Sequence, residues 1–402
     1  MGIDRRKFLQ LSAAGLWLPA PLWAGSGETQ RRFLFVYCKG GWDTTFVFSP
    51  MGNNPEIDTE IDAVEIESNG IRHVDHQSRP AVRRFFEQYG SETCVINGFE
   101  VRSIAHDKAQ RLLFTGSPGT EYDDWGSLLA FEKGATMPLP YINVSGPSYA
   151  ARAQEVVARL GSNGQLNTLL KSDHSSRPSS IIESLEDQLV MERANQGVHA
   201  LDGQMSRVLG SLGGAESLVD SVEFTGGVTF AERLSTVVDC FELDVSRCGI
   251  VQYDGHQDLG WDSHGANFIQ ANHFQELFTA LSDLMTDLHQ RPGPNGGVLS
   301  DEVCVVVLSE MGRHPKLNNN QGKHHWTFTS AMLLGAGVAG RQVIGKYDSN
   351  FFGMPIDLKS GELDDLGEPL TAKNFGATIL ALGGIEPELH TGGVAAIEAA
   401  IK

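Results

Sequence analysis

The stretch that decides the fold is residues 303–326, which read VCVVVLSEMGRHPKLNNNQGKHHW. The first six residues are continuously apolar and rich in β-branched side chains, as expected for a strand that is covered on both faces of its sheet. This strand continues directly into Glu310, and two adjacent histidines, His324 and His325, follow one loop later. A soluble fold has no structural need for this arrangement, so the segment predicts a metal site at the end of a buried strand.

Similar apolar runs alternate with helical patterns along the rest of the chain. One long helix is predicted from residue 267 onward, where apolar side chains recur at helical spacing, and another near residues 374–382. This alternation predicts an α/β fold with a mostly parallel central sheet. The predicted strands are 32–38, 93–96, 141–144, 249–253, 302–308 and 331–334.

The character of the chain changes between about residues 146 and 232. Segments such as IIESLEDQLVMERANQ, residues 181–196, are polar, strand-poor and helical in pattern. We therefore predict a helical insert in this region, packed on the sheet edge or over the site. A second domain is the alternative, but no linker composition isolates one.

The first residues have the pattern of an export signal. RRKFL, residues 5–9, is followed by a short apolar stretch and by Ala24 at a plausible cleavage point. The arginine pair is typical of the twin-arginine pathway, with an ordinary secretory signal as the alternative. We expect residues 1–24 to be removed and residues 25–402 to form one domain. The export machinery would then be a partner, and the location would be periplasmic or extracellular.

Bulk composition excludes several classes of function. The formal net charge is −19, and no stripe of basic residues offsets it, so binding to nucleic acid is not expected. Beyond the signal, no segment has the run of about 18 apolar residues that a membrane span needs. The five cysteines are too few and too scattered for a disulfide framework, although a bond between Cys240 and Cys248 is left open.

Potential metal ligands follow three of the predicted strands. Asp43 follows the first strand, Asp262 and His264 follow the strand at 249–253, and Glu310 ends the strand in the opening segment. In open α/β sheets, ligands bind beyond the carboxyl ends of the strands, so these groups are expected at one edge. Mixed carboxylate and imidazole donors suit zinc or manganese.

Each of these groups also has a structural alternative. The two aspartates could cap the helices that follow them, and Glu310 could form an ion pair with Arg313. His324 and His325 point to opposite sides if that segment is extended, so one of the two is expected to bind. The predicted ligand set is Asp43, Asp262, His264, Glu310 and one of His324 and His325.

Candidate catalytic groups lie in residues 99–116, FEVRSIAHDKAQRLLFTG, where a strand enters a helix. Backbone N–H groups and the helix dipole favour an anion at such an entry. His106 could transfer protons there, or it could simply bond to backbone in the core. Ser103 and Thr44 supply hydroxyl groups, and Arg313 could stabilise developing negative charge.

Five motifs, taken in order, resemble the family known as domain of unknown function 1501. That family is similar to the alkaline phosphatase and sulfatase superfamily, and many members carry twin-arginine signals. The resemblance implies a three-layer α/β/α sandwich with a two-metal centre that acts on small anionic phosphate or sulfate esters. The motifs are GGWDTTFVFSP (40–50), INGFEVRSIAH (96–106), GWDSHGAN (260–267), SEMGRHPKLNNNQGKHHW (309–326) and LLGAGVAGRQVIG (333–345).

The resemblance also implies roles for individual residues. Asp43 would bind one metal ion, and Asp262 with His264 would bind the other. Glu310 stands where the superfamily has an acidic ligand at the end of a late strand. The final histidine corresponds to one of the two adjacent histidines.

The chain departs from the pattern at three places. Glu310-Met311 replaces the superfamily's Asp-His pair, and His324-His325 stands where the family often has Asp-His. Ala105 stands where the family has a serine, so the nucleophile is either absent or moved to Ser103 or Thr44. The sequence therefore predicts an exported metal-dependent hydrolase of phosphate or sulfate esters that holds one or two ions. The alternative is a noncatalytic exported protein that keeps the fold for binding or envelope assembly.

Overall fold

The computed structural model describes residues 30–52, 54–135, 137–159 and 229–402. The predicted signal peptide and most of the predicted insert lie outside these residues. Within them, the central sheet has the strand order β12-β4-β11-β8-β1-β7-β5-β6, and small hairpins pair β2 with β3 and β9 with β10. The strands are β1 Arg32–Cys38, β2 Val64–Ser68, β3 Ile71–Asp75, β4 Thr93–Glu100, β5 Tyr141–Asn143, β6 Val157–Arg159, β7 Cys248–Tyr253, β8 Val303–Leu308, β9 Gly312–Leu317, β10 Lys323–Trp326, β11 Phe328–Gly335 and β12 Gln342–Ile344.

The central sheet is mostly parallel, as predicted. Only β11, among its described strands, runs antiparallel to its neighbours, β4 and β8. The sheet is flanked by helices α1 Pro80–Tyr89, α2 His106–Thr115, α3 Trp125–Gly134, α4 Phe230–Glu242, α5 Gln270–Gln290, α6 Ala372–Leu382 and the short α7 Glu388–Thr391. Several of these helices begin at a residue whose side chain caps the helix. For example, Thr229 and Glu232 form a capping box at the start of α4.

Strand β1 explains the three layers, because its side chains alternate between two cores. Leu34 and Val36 pack in one core with α1, α4 and α5. Phe33 and Phe35 pack in the other core with α2, α3 and α6. All seven residues of β1 are buried, which is why the strand reads as a continuous apolar run. The predicted α/β/α sandwich is thereby confirmed.

The differences from the predicted elements are local. Inside the predicted insert, Val157–Arg159 forms strand β6, parallel to β5. Helix α4 begins at Phe230, before the predicted end of that insert. The five cysteines are buried free thiols, so no bond joins Cys240 to Cys248. No helix among the described residues is long and apolar enough to cross a membrane.

Candidate metal centre

The candidate site lies beyond the carboxyl ends of β8, β1 and β7, which are neighbours in the sheet. The loop after β1 passes so close to the loop after β7 that a Cβ on Gly40 would come within 2.7 Å of the Asp262 amide nitrogen. Gly40 also has a φ of +126°, a conformation that other residues rarely adopt. The same glycine donates its N–H to Glu310 Oε1 at 2.9 Å. These contacts bring all three loops together, as predicted.

Three imidazole rings converge there on one carboxylate. Ligand atoms of His106, Asp262 and His325 all lie within 4.8 Å of one another. His325 Nε2 is 3.0 Å from Asp262 Oδ1, and His106 Nε2 is 3.4 Å from Asp262 Oδ2. His264 joins them, with its Nε2 3.2 Å from Asp262 Oδ1 and 2.9 Å from His325 Nε2. We call these four residues the histidine cluster.

Neighbouring acceptors orient two of the rings. His325 Nδ1 donates to the Ile104 carbonyl oxygen at 2.6 Å, and His106 Nδ1 donates to Glu310 Oε1 at 2.7 Å. A proton held on Nδ1 leaves Nε2 with its lone pair, the form in which imidazole binds a metal. His106 Nε2 is buried and faces Asp262 Oδ2 at 3.4 Å. His264 Nε2 and His325 Nε2 can lie 2.9 Å apart only with a proton or another cation between them.

The charges around Asp262 reinforce its ionised form. Burial alone raises the pKa of Asp262, but hydrogen bonds from His106, His325 and Arg313 outweigh burial and lower this pKa overall. The hydrogen bonds to Asp262 and Glu310 raise the pKa of His106 to about 9. Burial lowers the pKa of His264, and the charges of the neighbouring histidines and of Arg313 also act to lower it. The ionised Asp262 carboxylate and the neutral His264 imidazole are donors that suit a divalent cation, whereas His106 would release its Nε2 proton when an ion binds.

Glu310 is linked to the histidine cluster through His106. Its side chain is completely buried, and its two oxygens accept the N–H of Gly40 and the His106 proton. A carboxylate that bonds the far nitrogen of a histidine fixes the orientation of that ring and makes it a stronger ligand. Glu310 was predicted as a direct ligand, whereas these contacts fit a residue that orients His106.

Arg313 is also fully buried, and its donors hold the loops together. Its Nε donates to the Gly41 carbonyl at 2.8 Å, and its Nη2 donates to the Trp261 carbonyl at 2.9 Å and to Asp262 Oδ1 at 2.8 Å. Nη1 donates to the Lys323 carbonyl at 3.2 Å. These contacts fit a residue that positions the loops, and the role of Arg313 as stabiliser of a developing anion stays a prediction.

Asp43 lies outside the histidine cluster. It caps the short 3-10 helix Thr44–Phe46, and its Oδ1 accepts the Thr45 amide and hydroxyl protons at 3.1 and 2.7 Å. Its Oδ2 accepts from Asn267 Nδ2 at 2.7 Å and forms an ion pair with Lys323 Nζ at 2.8 Å. The helix-capping alternative therefore describes Asp43 better than its predicted ligation of a metal.

The remaining predicted site residues lie around the cluster without joining it. His324 is exposed, with its ring 5.6 Å from that of His264 between centroids. The Ser103 hydroxyl bonds the backbone of Ala105, the residue that precedes α2. The Thr44 hydroxyl is buried and has no partner among the described residues. Neither predicted nucleophile forms a hydrogen bond with a cluster side chain in the described part of the chain.

Sequence reasoning missed two residues that shape this edge of the sheet. Lys323 was not singled out, although it lies two positions before His325, and a register shift in β10 separates the two residues. Asn267 was read only as the start of a helix. The contacts of both residues with Asp43 span more than 200 positions, and no local pattern signals them.

Comparison with known proteins agrees with the resemblance read from the motifs. Residues 230–399 match the family model described as "Protein of unknown function (DUF1501)", which confirms the resemblance over that segment. The match includes the GWDSHGAN and SEMGR motifs, while the two earliest motifs lie outside it. No curated protein matches the chain.

Several solved structures are similar to this chain at low sequence identity. An alkaline phosphatase superfamily protein from Vibrio parahaemolyticus is 10% identical, with a TM-score of 0.40, over 96% of this chain and 76% of its own. The PsFucS1 sulfatase from Pseudoalteromonas sp. is 10% identical, with a TM-score of 0.43, over 100% and 77%. The periplasmic domain of EcEptC from Escherichia coli is 10% identical, with a TM-score of 0.42, over 94% and 89%.

Proposed function

We propose that this chain is an exported, metal-dependent hydrolase of phosphate or sulfate esters, built around one divalent ion in the histidine cluster. His106, Asp262, His264 and His325 would hold the ion. The observation that carries this proposal is the convergence of three imidazole Nε2 atoms on the Asp262 carboxylate, two of them only 2.9 Å apart.

The donor set fits a metal on chemical grounds. Three nitrogen donors and one carboxylate favour zinc, with manganese as the second choice. A bound ion would supply Lewis-acid polarisation of an ester oxygen and lower the pKa of a water molecule. The Glu310 carboxylate would hold His106 in the orientation that directs Nε2 to the ion.

The start of α2 is suited to the anionic part of an ester. The helix begins at His106, and Ala105 before it provides no side-chain cap. The first backbone N–H groups of a helix lack partners within the helix and favour a bound anion. A phosphate or sulfate group beside the cluster could accept these hydrogen bonds.

The attacking group we propose is a water molecule. The Ser103 hydroxyl is occupied by the backbone of Ala105, and Thr44 is completely buried. Both side chains would have to move before they could attack an ester. Direct hydrolysis by water requires no such movement.

The second candidate is a noncatalytic exported binding protein on the same fold. Ala105 favours it, because the helix start that faces the cluster carries no hydroxyl nucleophile. The two functions would differ in turnover, while both would require the metal.

The test begins with the elemental content of protein purified without chelator, followed by assays on nitrophenyl phosphate and nitrophenyl sulfate. We expect about one zinc or manganese ion per chain and hydrolysis of at least one ester class. His325→Ala should lose both metal and activity, while His324→Ala, at the exposed neighbouring position, should keep both. Bound metal without turnover on a broad ester panel would favour the binding protein. Fully folded protein without metal would contradict both functions.

A further inference from the structure

Lys323 occupies the place where the sequence resemblance implies a metal ion. Its Nζ lies 2.8 Å from Asp43 Oδ2, and both residues are buried, with relative exposures of 1% and 0%. The Asp43 carboxylate is the group that the family pattern assigns to one ion of a two-metal centre. In this chain the lysine ammonium group is the cation beside it.

The contacts of the ammonium group resemble those of a bound cation. Besides Asp43, Lys323 Nζ contacts the Asp58 carbonyl oxygen at 2.8 Å and Thr45 Oγ1 at 3.4 Å. Three oxygens thus surround Nζ, which matches the three donors of a lysine side chain. An ammonium group so surrounded has its hydrogen-bonding capacity filled.

The Asp43 carboxylate is equally committed. Its Oδ1 accepts two hydrogen bonds from Thr45, and Oδ2 accepts Asn267 Nδ2 in addition to Lys323. A zinc or manganese ion would need a carboxylate oxygen at about 2.0–2.2 Å, well inside the 2.8 Å that separates Oδ2 from Nζ. A metal could bind at Asp43 only after Lys323 had been displaced.

We propose that Lys323 is the resident cation of the Asp43 site and that it closes this site to divalent metals. The part of this inference that concerns metal number rests on the proposed function, because it leaves the histidine cluster as a single-metal centre. Lys323 also tethers β10 to the loop after β1, two residues before His325. The same ion pair thereby helps to position a ligand of the cluster.

The metal content of variants tests the proposal directly. Asp43→Asn should leave the zinc content and the manganese content unchanged, whereas Asp262→Asn should lower them. Lys323→Ala removes the ammonium group, and we expect it to admit a second equivalent of added manganese, measured by calorimetry. That second equivalent should be absent from the double variant Lys323→Ala/Asp43→Asn.

Thermal unfolding provides a second readout that is independent of the cluster. Lys323→Ala leaves a buried carboxylate without its partner, and the midpoint should fall by roughly 5–10 °C. Adding Asp43→Asn should recover part of that loss, and adding manganese should recover it only when Asp43 is present. If Lys323→Ala does not fold, the neutral pair Lys323→Gln/Asp43→Asn replaces it, and its metal content should equal that of the natural chain.

The outcomes separate this inference from the proposed function. A loss of metal in Asp43→Asn, or two ions bound by the natural chain, would overturn the closed site. A Lys323→Ala variant with unchanged stability and no new metal equivalent would overturn it as well. Natural protein without metal would contradict the proposed function, while the coupling between Asp43 and Lys323 in unfolding would still support Lys323 as the resident cation.

Discussion

Replacing Glu310 by glutamine should weaken metal binding by about 10- to 100-fold, which corresponds to roughly 1.4–2.7 kcal/mol. The expected loss comes from a single contact, the 2.7 Å hydrogen bond from His106 Nδ1 to Glu310 Oε1. A neutral amide accepts this proton less strongly than a carboxylate does, and its NH₂ group can turn toward the ring and favour the wrong tautomer. His106 Nε2 would then lose part of its availability as a ligand.

The dissociation constant for zinc, measured by competition with a fluorescent chelator at pH 7.5, gives the magnitude. Glu302→Gln is the matched control, because Glu302 is also completely buried and immediately precedes the same strand, β8, whose far end leads to Glu310. Glu302 interacts with Asn295 and Arg32, and neither of these residues is hydrogen-bonded or ion-paired with the histidine cluster. Equal zinc affinity in both variants and the natural protein would show that Glu310 does not strengthen His106 as a ligand.

Three further predictions concern the cluster, acid stability and export. His325→Ala should bind zinc at least tenfold more weakly than the natural chain. The zinc dissociation constant of His324→Ala, measured by titration calorimetry, should stay within about twofold of the natural value. Burial lowers the pKa of His273 to about 4. Below pH 6.5 the unfolded chain therefore binds more protons at this residue than the folded chain does. The free energy of unfolding should fall by about 3 kcal/mol from this group as the pH drops toward 4. Urea unfolding between pH 7 and 4.5 should show a shallower decline for His273→Asn, and parallel declines would contradict the assignment. Changing Arg5 and Arg6 to lysine should retain the protein in the cytoplasm, as fractionation would reveal, and unchanged export would exclude the twin-arginine pathway.

The sequence predicted the sheet well because its central strands are buried on both faces. β1, β7 and β8 appear as apolar runs whose bounds agree with the structure within one residue. The convergence of the loops after them follows from parallel strand packing, which is why the sequence predicted Asp262, His264 and Glu310 at one edge of the sheet.

The hairpin of β9 and β10 was not predicted, since its strands are short and polar. GRHPKL contains a proline, and KHHW has no apolar alternation, so neither segment carries the usual strand signal. Strand β6 has only three residues and lies in a region of polar, helical composition. Edge elements of this kind are defined by tertiary contacts and not by local preference.

The role of each site residue depends on partners that are distant in the chain. His106 was predicted as a proton-transfer group, but its contact with Glu310 crosses 204 positions and turns its Nε2 toward the cluster. The contact with Lys323 likewise makes Asp43 a member of a buried ion pair, whereas its position in the sequence predicted a metal ligand. Spacing in the sequence provides the inventory of donors, while only the fold determines which donors meet.

Anomalous diffraction from crystals soaked in zinc would locate the bound ion. We expect one strong peak at the zinc edge, about 2.0–2.2 Å from imidazole nitrogens of the histidine cluster and from a carboxylate oxygen of Asp262, with no peak beside Asp43. A peak at Asp43, or a histidine cluster without zinc, would contradict it.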